Sequence, residues 1–349
     1  MMALAGRAAA GPHLLVDLNS GKVLSQEDAF RRWYPASLTK LMTTYVVFRA
    51  VQSGEISMQS PVKVSANAAK ERPSKMGYKP GSVLTYDNAI KILMVKSAND
   101  VATAVAESLS GSVAEFAKRM NAEARRLGMT DSRFVNAHGW HADTQYVTAH
   151  DLAILASALR RDFPQYAGYF SIEAIGAGKS IIENHNTLIA RFDGADGMKT
   201  GYTCPSGFNL VATATRNGRT LLAVVLGELS VESRAEKAAD LLADGFSRSG
   251  FAAPRLSSMQ PSGRVQAEPT NMRSLICTQA AQQERMANRD EEGRRIVRSS
   301  HLHELDRPRR VVTVGLGGAI GPTPAIVEYA DVPIPTPRPP YTPMTAQGG

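Results

Sequence analysis

Residues 197–228 read GMKTGYTCPSGFNLVATATRNGRTLLAVVLGE, and this stretch decides the class of fold. GMKTGYT, GFNLVATATR and RTLLAVVLGE are three β-rich runs. Asn217-Gly218, between the last two, is the strongest hairpin signal in the chain because it supplies the left-handed residues of a tight turn. On the C-terminal side, 231–246 carries Ala238, Leu241 and Leu242 on one helical face. On the N-terminal side, beyond Pro164, helical spacing takes over. SLTKLMTTYVVFRAVQSG (37–54) sets Leu38, Met42, Tyr45 and Val46 on one face, with Ser37 at its start and Gly54 at its end. Further helices are expected over 87–95, 99–108, 113–127 and 149–160, the last capped by Thr148. Residues 13–25 read as a hairpin turning at Asn19-Ser20-Gly21, and 62–86 as irregular and strand-like with a turn at Tyr78-Lys79-Pro80-Gly81. The expected fold is mixed α+β: an antiparallel sheet flanked by helices with an inserted helical subdomain, rather than a doubly wound parallel sheet.

With 43% hydrophobic and 21% charged residues among 349, the chain is neither collagen, coiled coil nor wholly disordered. Its +8 charge favours encounter with polyanions without choosing among them, and no basic run with interleaved aromatics points to nucleic acid. A composition break falls near residue 250. Lysine is absent beyond Lys237, and twelve of the nineteen prolines follow the break. Two domains are drawn there: 1–250 as the folded unit and 251–349 as a Pro/Arg-rich, largely irregular and flexible tail. Within the tail, 280–300 is weakly helical and 310–320 reads as one short strand. VPIPTPRPPYTP (332–343) is too proline-rich to fold alone. Cys204 and Cys277 match no metal pattern; one bridge or two thiols both fit. No apolar run is long enough for a spanning helix.

Three short motifs follow one another along this layout: Ser37-Leu38-Thr39-Lys40, Ser97-Ala98-Asn99 and Lys199-Thr200-Gly201. On a helix, a spacing of three puts Lys40 one turn from Ser37, where its amine can take the hydroxyl proton. The helix N-terminus favours the nascent alkoxide and the oxyanion formed on attack. Lys40 must be neutral to act as base, and a dry pocket with Lys199 close by lowers its pKa from the usual value of about 10.4. Each motif alone also describes a cap, a capping loop or a strand end. On a helix N-terminus, an interhelical loop and a strand, in that order, they converge on one nucleophilic mechanism.

The stretches around the motifs resemble the serine D-Ala-D-Ala carboxypeptidases, the low-molecular-mass penicillin-binding proteins of the S11 peptidase type. They are YPASLTKLMTTYVV, VKSANDVATAVAE, FVNAHGWHADTQYVTAHDLAILA, DGMKTGYTCPSGFNLVATATRNGRTLLAVVLG and SRAEKAADLLADGF, spread over about residues 12–250. The resemblance implies the β-lactamase/DD-peptidase-like fold and an acyl-transfer cycle on peptidoglycan stem peptides, with no cofactor and no metal. Ser37 would attack the carbonyl between the terminal D-alanines with Lys40 as base, and Ser97 or a lysine would pass a proton to the leaving amine. Asn99 would hold Lys40 and bond the substrate amide, and the Ser37 and Tyr202 N–H groups would form the oxyanion hole. Lys199, Thr200 and Arg234 would anchor the substrate carboxylate on the strand containing Gly201. β-Lactams would acylate Ser37 covalently.

A serine β-lactamase is a rival, but no stretch resembles the loop that carries its deacylating Glu, and Glu183 has the wrong neighbours. A DD-endopeptidase of cross-linked peptidoglycan shares the chemistry and would have less use for a carboxylate anchor. A non-catalytic scaffold fits poorly with five intact motif residues. His138 and His141 lack zinc spacing and are expected in structural hydrogen bonds. Asp151 is expected to pin its helix, His185 to sit at a sheet edge, and Cys204 in a loop near the site as a reactive or, more simply, inert thiol. The implied substrate lies outside the cytoplasmic membrane, so a periplasmic or otherwise exported protein is expected, with its signal upstream or removed. PRPPYTPMTAQGG cannot form an amphipathic anchor helix, and the family's usual β-rich C-terminal domain is not recognisable in 251–349.

Overall fold

The computed structural model describes residues 11–250, 252–261, 266–293 and 295–324. In chain order the elements are β1 (His13–Asp17), β2 (Lys22–Glu27), α1 (Thr39–Gln52), β3 (Pro61–Lys63), α2 (Ala66–Ala69), β4 (Val83–Thr85) and α3 (Tyr86–Val95). Next come α4 (Asn99–Ser110), α5 (Val113–Leu127), α6 (Ala149–Asp162), β5 (Ala174–Ala177), β6 (Ser180–Glu183), β7 (Ala195–Thr203) and β8 (Gly207–Arg216). Last are β9 (Arg219–Glu228), α7 (Val231–Ser247), α8 (Arg273–Ile276), α9 (Gln279–Ala287) and β10 (Val311–Val314).

Five antiparallel strands form the central sheet in the order β2-β1-β9-β8-β7. Asn217 and Gly218, at φ 49° and 76°, turn β8 into β9 as the Asn-Gly pair predicts. Leu221, Ala223 and Val225 of β9 face α7, whereas Leu222, Val224 and Leu226 face the larger helical core. Both faces of this strand are therefore buried, which is why its sequence reads as a continuous apolar run. The helices start where polar caps allow. Thr85, Ser112, Thr148 and Ser230 each accept a bond from the first turn of α3, α5, α6 and α7. Helix α1 is buried all round from Thr39 to Phe48, so Lys40 enters the core with its neighbours.

The mixed fold with a helical insertion matches the expectation. Beyond residue 250, several described segments of the chain bond to the 11–250 unit. Val23 donates its N–H to the Pro254 carbonyl at 2.8 Å, and Arg307 grips Glu173 with two bonds of 2.9 Å. Strand β10 pairs in parallel with β5. Cys204 and Cys277 form a disulfide, which resolves the open choice in favour of the bridge. Val314 lies on β10, within the short strand expected over 310–320, whereas the anchoring residues Leu256, Met272, Ile276 and Leu302 are buried but scattered in sequence. Each plugs a surface that already exists, so no hydrophobic period reveals them. The proline-rich stretch 332–343 lies outside the described residues.

Candidate active site

Ser37 lies in a short 3-10 turn, Ala36–Leu38, that leads directly into α1. One turn on, the buried Lys40 Nζ lies 3.1 Å from Ser37 Oγ and donates to Asn99 Oδ1 at 2.8 Å and the His138 carbonyl at 2.7 Å. Burial pushes the Lys40 ammonium well below its ordinary pKa, and the charge of Lys199 adds to the shift. A neutral amine has two N–H groups and one lone pair. With the two N–H groups on Asn99 and His138, the lone pair is left for the Ser37 hydroxyl.

Gly139 holds the His138 carbonyl in register with the turn. It has φ +88°, and a Cβ there would fall 1.8 Å from the Ala36 carbonyl oxygen, so only glycine lets the two backbones meet. The Asn136 side chain braces this loop by accepting the Gly139 N–H at 2.7 Å.

Ser97 occupies the connection between α3 and α4 at φ +60°. It is 5% exposed, and its hydroxyl has no hydrogen-bond partner among the described residues. Such an unpaired buried group is poised for a ligand. Asn99 opens α4 and gives its amide N–H groups to the Arg72 and Pro73 carbonyls at 3.0 and 3.3 Å. Its grip on Lys40 matches the expectation; donation to a substrate amide competes with these two bonds. Asp100 fastens the same loop by accepting the Met76 and Gly77 N–H groups.

The third motif lies on β7, the outermost strand of the sheet. Gly201 brings β7 onto the Ser37 turn: a Cβ there would stand 3.1 Å from the Ser37 nitrogen and 2.9 Å from the Pro35 carbonyl oxygen. Lys199 is buried, donates to the Thr200 carbonyl at 3.0 Å, and has its pKa lowered to about 7 by burial and by Arg234. Arg234, on α7, is buried with weak contacts to the Asn209 and His185 carbonyls at 3.4 and 3.3 Å. Burial lowers its pKa to about 10, so it remains charged at neutral pH. Two buried cations with so few acceptors form a receptor for an anion. The Tyr202 ring stacks on Phe208 at 4.3 Å.

All three motifs thus meet where β7, the Ser37 turn and the start of α4 converge. The His138 ring accepts the Trp140 N–H at 2.9 Å and lies 3.3 Å from Glu71, in structural bonds as expected. Asp151 donates its N–H to the Thr148 cap at 3.0 Å, and its carboxylate accepts the Asp131 N–H at 2.9 Å. The His185 side chain is exposed, and its carbonyl serves Arg234. Sequence reasoning missed the His138 carbonyl, Gly139 and Asp100; the only signal was a glycine between two histidines in NAHGWH.

A family model described as D-alanyl-D-alanine carboxypeptidase matches residues 2–230. The chain is 36% identical over 240 residues to D-alanyl-D-alanine carboxypeptidase DacC of Escherichia coli, covering 67% of this chain and 60% of that one. It is 33% identical to DacF of Bacillus subtilis, covering 67% and 61%. The chain therefore spans about 60% of the length of the curated relatives it matches. Penicillin-binding protein 5 of Haemophilus influenzae superposes with a TM-score of 0.65 at 34% identity, over 68% of this chain and 71% of that one. Penicillin-binding protein D2 of Listeria monocytogenes, solved in its cefotaxime-bound form, superposes with a TM-score of 0.62 at 29% identity, over 68% and 97%.

Proposed function

Because the chain belongs to the D-alanyl-D-alanine carboxypeptidase family, we propose that it removes the terminal D-Ala from peptidoglycan stem peptides through an acyl-enzyme on Ser37. The observation that carries this reading is the buried Lys40 amine, held by Asn99 and the His138 carbonyl with its lone pair left for the Ser37 hydroxyl. The Ser37 oxygen attacks the carbonyl between the two D-alanines as its proton passes to Lys40. The oxyanion is received by the Ser37 and Tyr202 N–H groups, which Gly201 allows to approach each other. The unpaired Ser97 hydroxyl faces the leaving nitrogen and relays a proton to it, releasing D-Ala; water then hydrolyses the ester.

Lys199, Thr200 and Arg234 anchor the terminal carboxylate. This buried anion receptor favours a carboxypeptidase over an endopeptidase, whose substrate lacks the free carboxylate at that place. The substrate lies outside the cytoplasmic membrane, so the protein is exported, in keeping with its disulfide. Among the described residues no helix is long and apolar enough to cross a membrane.

The test is intact mass spectrometry with benzylpenicillin, alongside D-Ala release from a stem pentapeptide. A long-lived adduct at Ser37 together with D-Ala release is expected. Rapid, complete turnover of penicillin without D-Ala release would overturn the reading in favour of a β-lactamase.

Two further outcomes are expected. Gly201→Ala pushes β7 off the Ser37 turn and slows acylation by about ten- to a hundred-fold, while far-ultraviolet circular dichroism stays native. An unchanged acylation rate would mean that the close approach does not matter. The second concerns pH. Lys40 works only when neutral, so kcat/KM falls on the acid side below its lowered pKa. Lys199 anchors only when charged, so kcat/KM also falls above about pH 7. A profile flat between pH 6 and pH 9 would contradict the role given to Lys199.

A further inference from the structure

The carboxypeptidase reading fixes the direction in which a substrate lies on β7. Its carboxylate is at Lys199 and Thr200, and its scissile carbonyl at the Tyr202 N–H. The acyl part of the peptide therefore continues past Tyr202 towards Thr203 and Cys204.

Cys204 is where a segment from beyond the family match is fastened on. Its partner Cys277 joins α8 to α9, with the Cys277 Sγ 3.4 Å from the Tyr202 hydroxyl. Noncovalent contacts seat the same segment: Met272 donates its N–H to the Pro205 carbonyl at 2.9 Å, and the Ile276 side chain is fully buried. From α9 the segment presents Arg285, whose guanidinium lies 5.7 Å from the Phe208 ring on which Tyr202 stacks. Arg285 gives one N–H to the Ile276 carbonyl at 2.8 Å, which aims the head group. Among the described residues it has no carboxylate partner.

We propose that the disulfide-tethered segment 271–288 forms the acyl-side wall of the substrate groove, and that Arg285 binds a carboxylate carried by the peptide upstream of its scissile bond. The preferred substrate is then an acidic acyl-donor peptide. Arg285 touches no reacting atom, so it sets specificity and leaves the chemical step alone. The inference rests on the carboxypeptidase reading.

The test compares two D-Ala-D-Ala peptides that differ only in an upstream side-chain carboxylate, free in one and amidated in the other, with the full oxidised chain. Arg285→Ala is expected to raise KM for the acidic peptide about five-fold. It should leave kcat, the amidated peptide and the rate of benzylpenicillin acylation unchanged. Arg285→Lys should keep part of the preference, because it keeps the charge and loses only the fork. Cys277→Ser, which removes the covalent tether and leaves the noncovalent seat, should weaken the preference no more than Arg285→Ala does. If Arg285→Ala affects both peptides equally or neither, or if Cys277→Ser weakens the preference more than Arg285→Ala does, the inference falls while the carboxypeptidase reading stands. Wild-type protein that releases no D-Ala from either peptide overturns both.

Discussion

Ser37→Ala is expected to abolish both the penicillin adduct and D-Ala release, with a loss of at least about 10⁴-fold in the acylation rate. No neighbouring hydroxyl can substitute, because the Lys40 lone pair is committed by geometry to one oxygen: Asn99 and the His138 carbonyl fix the amine from the other side. The fold should be untouched. The Ser37 side chain caps no helix, and the Ala36–Leu38 turn is held by backbone contacts with Gly139 and Gly201. Intact mass after incubation with benzylpenicillin reads the result directly. An adduct on the variant that maps to another residue would assign the nucleophile elsewhere.

Lys40→Met is the second large effect, with acylation slowed by about 10²- to 10⁴-fold, the usual range for loss of a general base. Its stability signature separates it from a merely damaged core. The Lys40 pKa is lower in the folded than in the unfolded chain, so the unfolded chain binds the extra proton between the two values. Stability from this group is therefore reduced at neutral pH and recovers as pH rises towards about 10.4. Lys199 does the same over the window that opens at about pH 7. Wild-type stability should climb with pH across that range, and the variant should climb less steeply, by up to about 1.4 kcal/mol per pH unit for the missing proton. Urea melts at pH 7, 8 and 9 measure the two slopes. Parallel slopes would show that Lys40 is charged in the native state and would remove it as the base.

Much of this was legible in the sequence, for local reasons. The Asn217-Gly218 turn, the Thr148 cap and the continuous apolar run along β9 are short-range signals, and the structure follows them. The three motifs were legible because side chains do the chemistry and their spacing carries the geometry. The His138 carbonyl was not, since every residue has one and only the fold decides which points at Lys40. Gly139 is informative only once Ala36 is known to press against it. The segment beyond residue 250 hid for another reason. Its attachments include a disulfide across 73 positions and an ion pair between Arg307 and Glu173, neither of which makes a periodic pattern; the β10 ladder on β5, by contrast, falls within the short strand expected over 310–320.

Strand β7 ends the sheet, so its outer backbone groups are offered to whatever comes alongside. An enzyme that binds a peptide there needs the edge open, yet an open edge also invites the strand of another protein molecule and, through it, aggregation. Lys199 bears on that conflict. Its side chain, already buried, points inward from an edge strand, and a stacked foreign strand would leave its charge without a counter-ion unless it brought an anion to the same place. A peptide ending in a carboxylate brings one; the middle of an ordinary strand does not. The residue proposed to anchor the substrate also makes the edge a poor template for self-association, so neutralising it, as in Lys199→Met, should cost solubility as well as turnover.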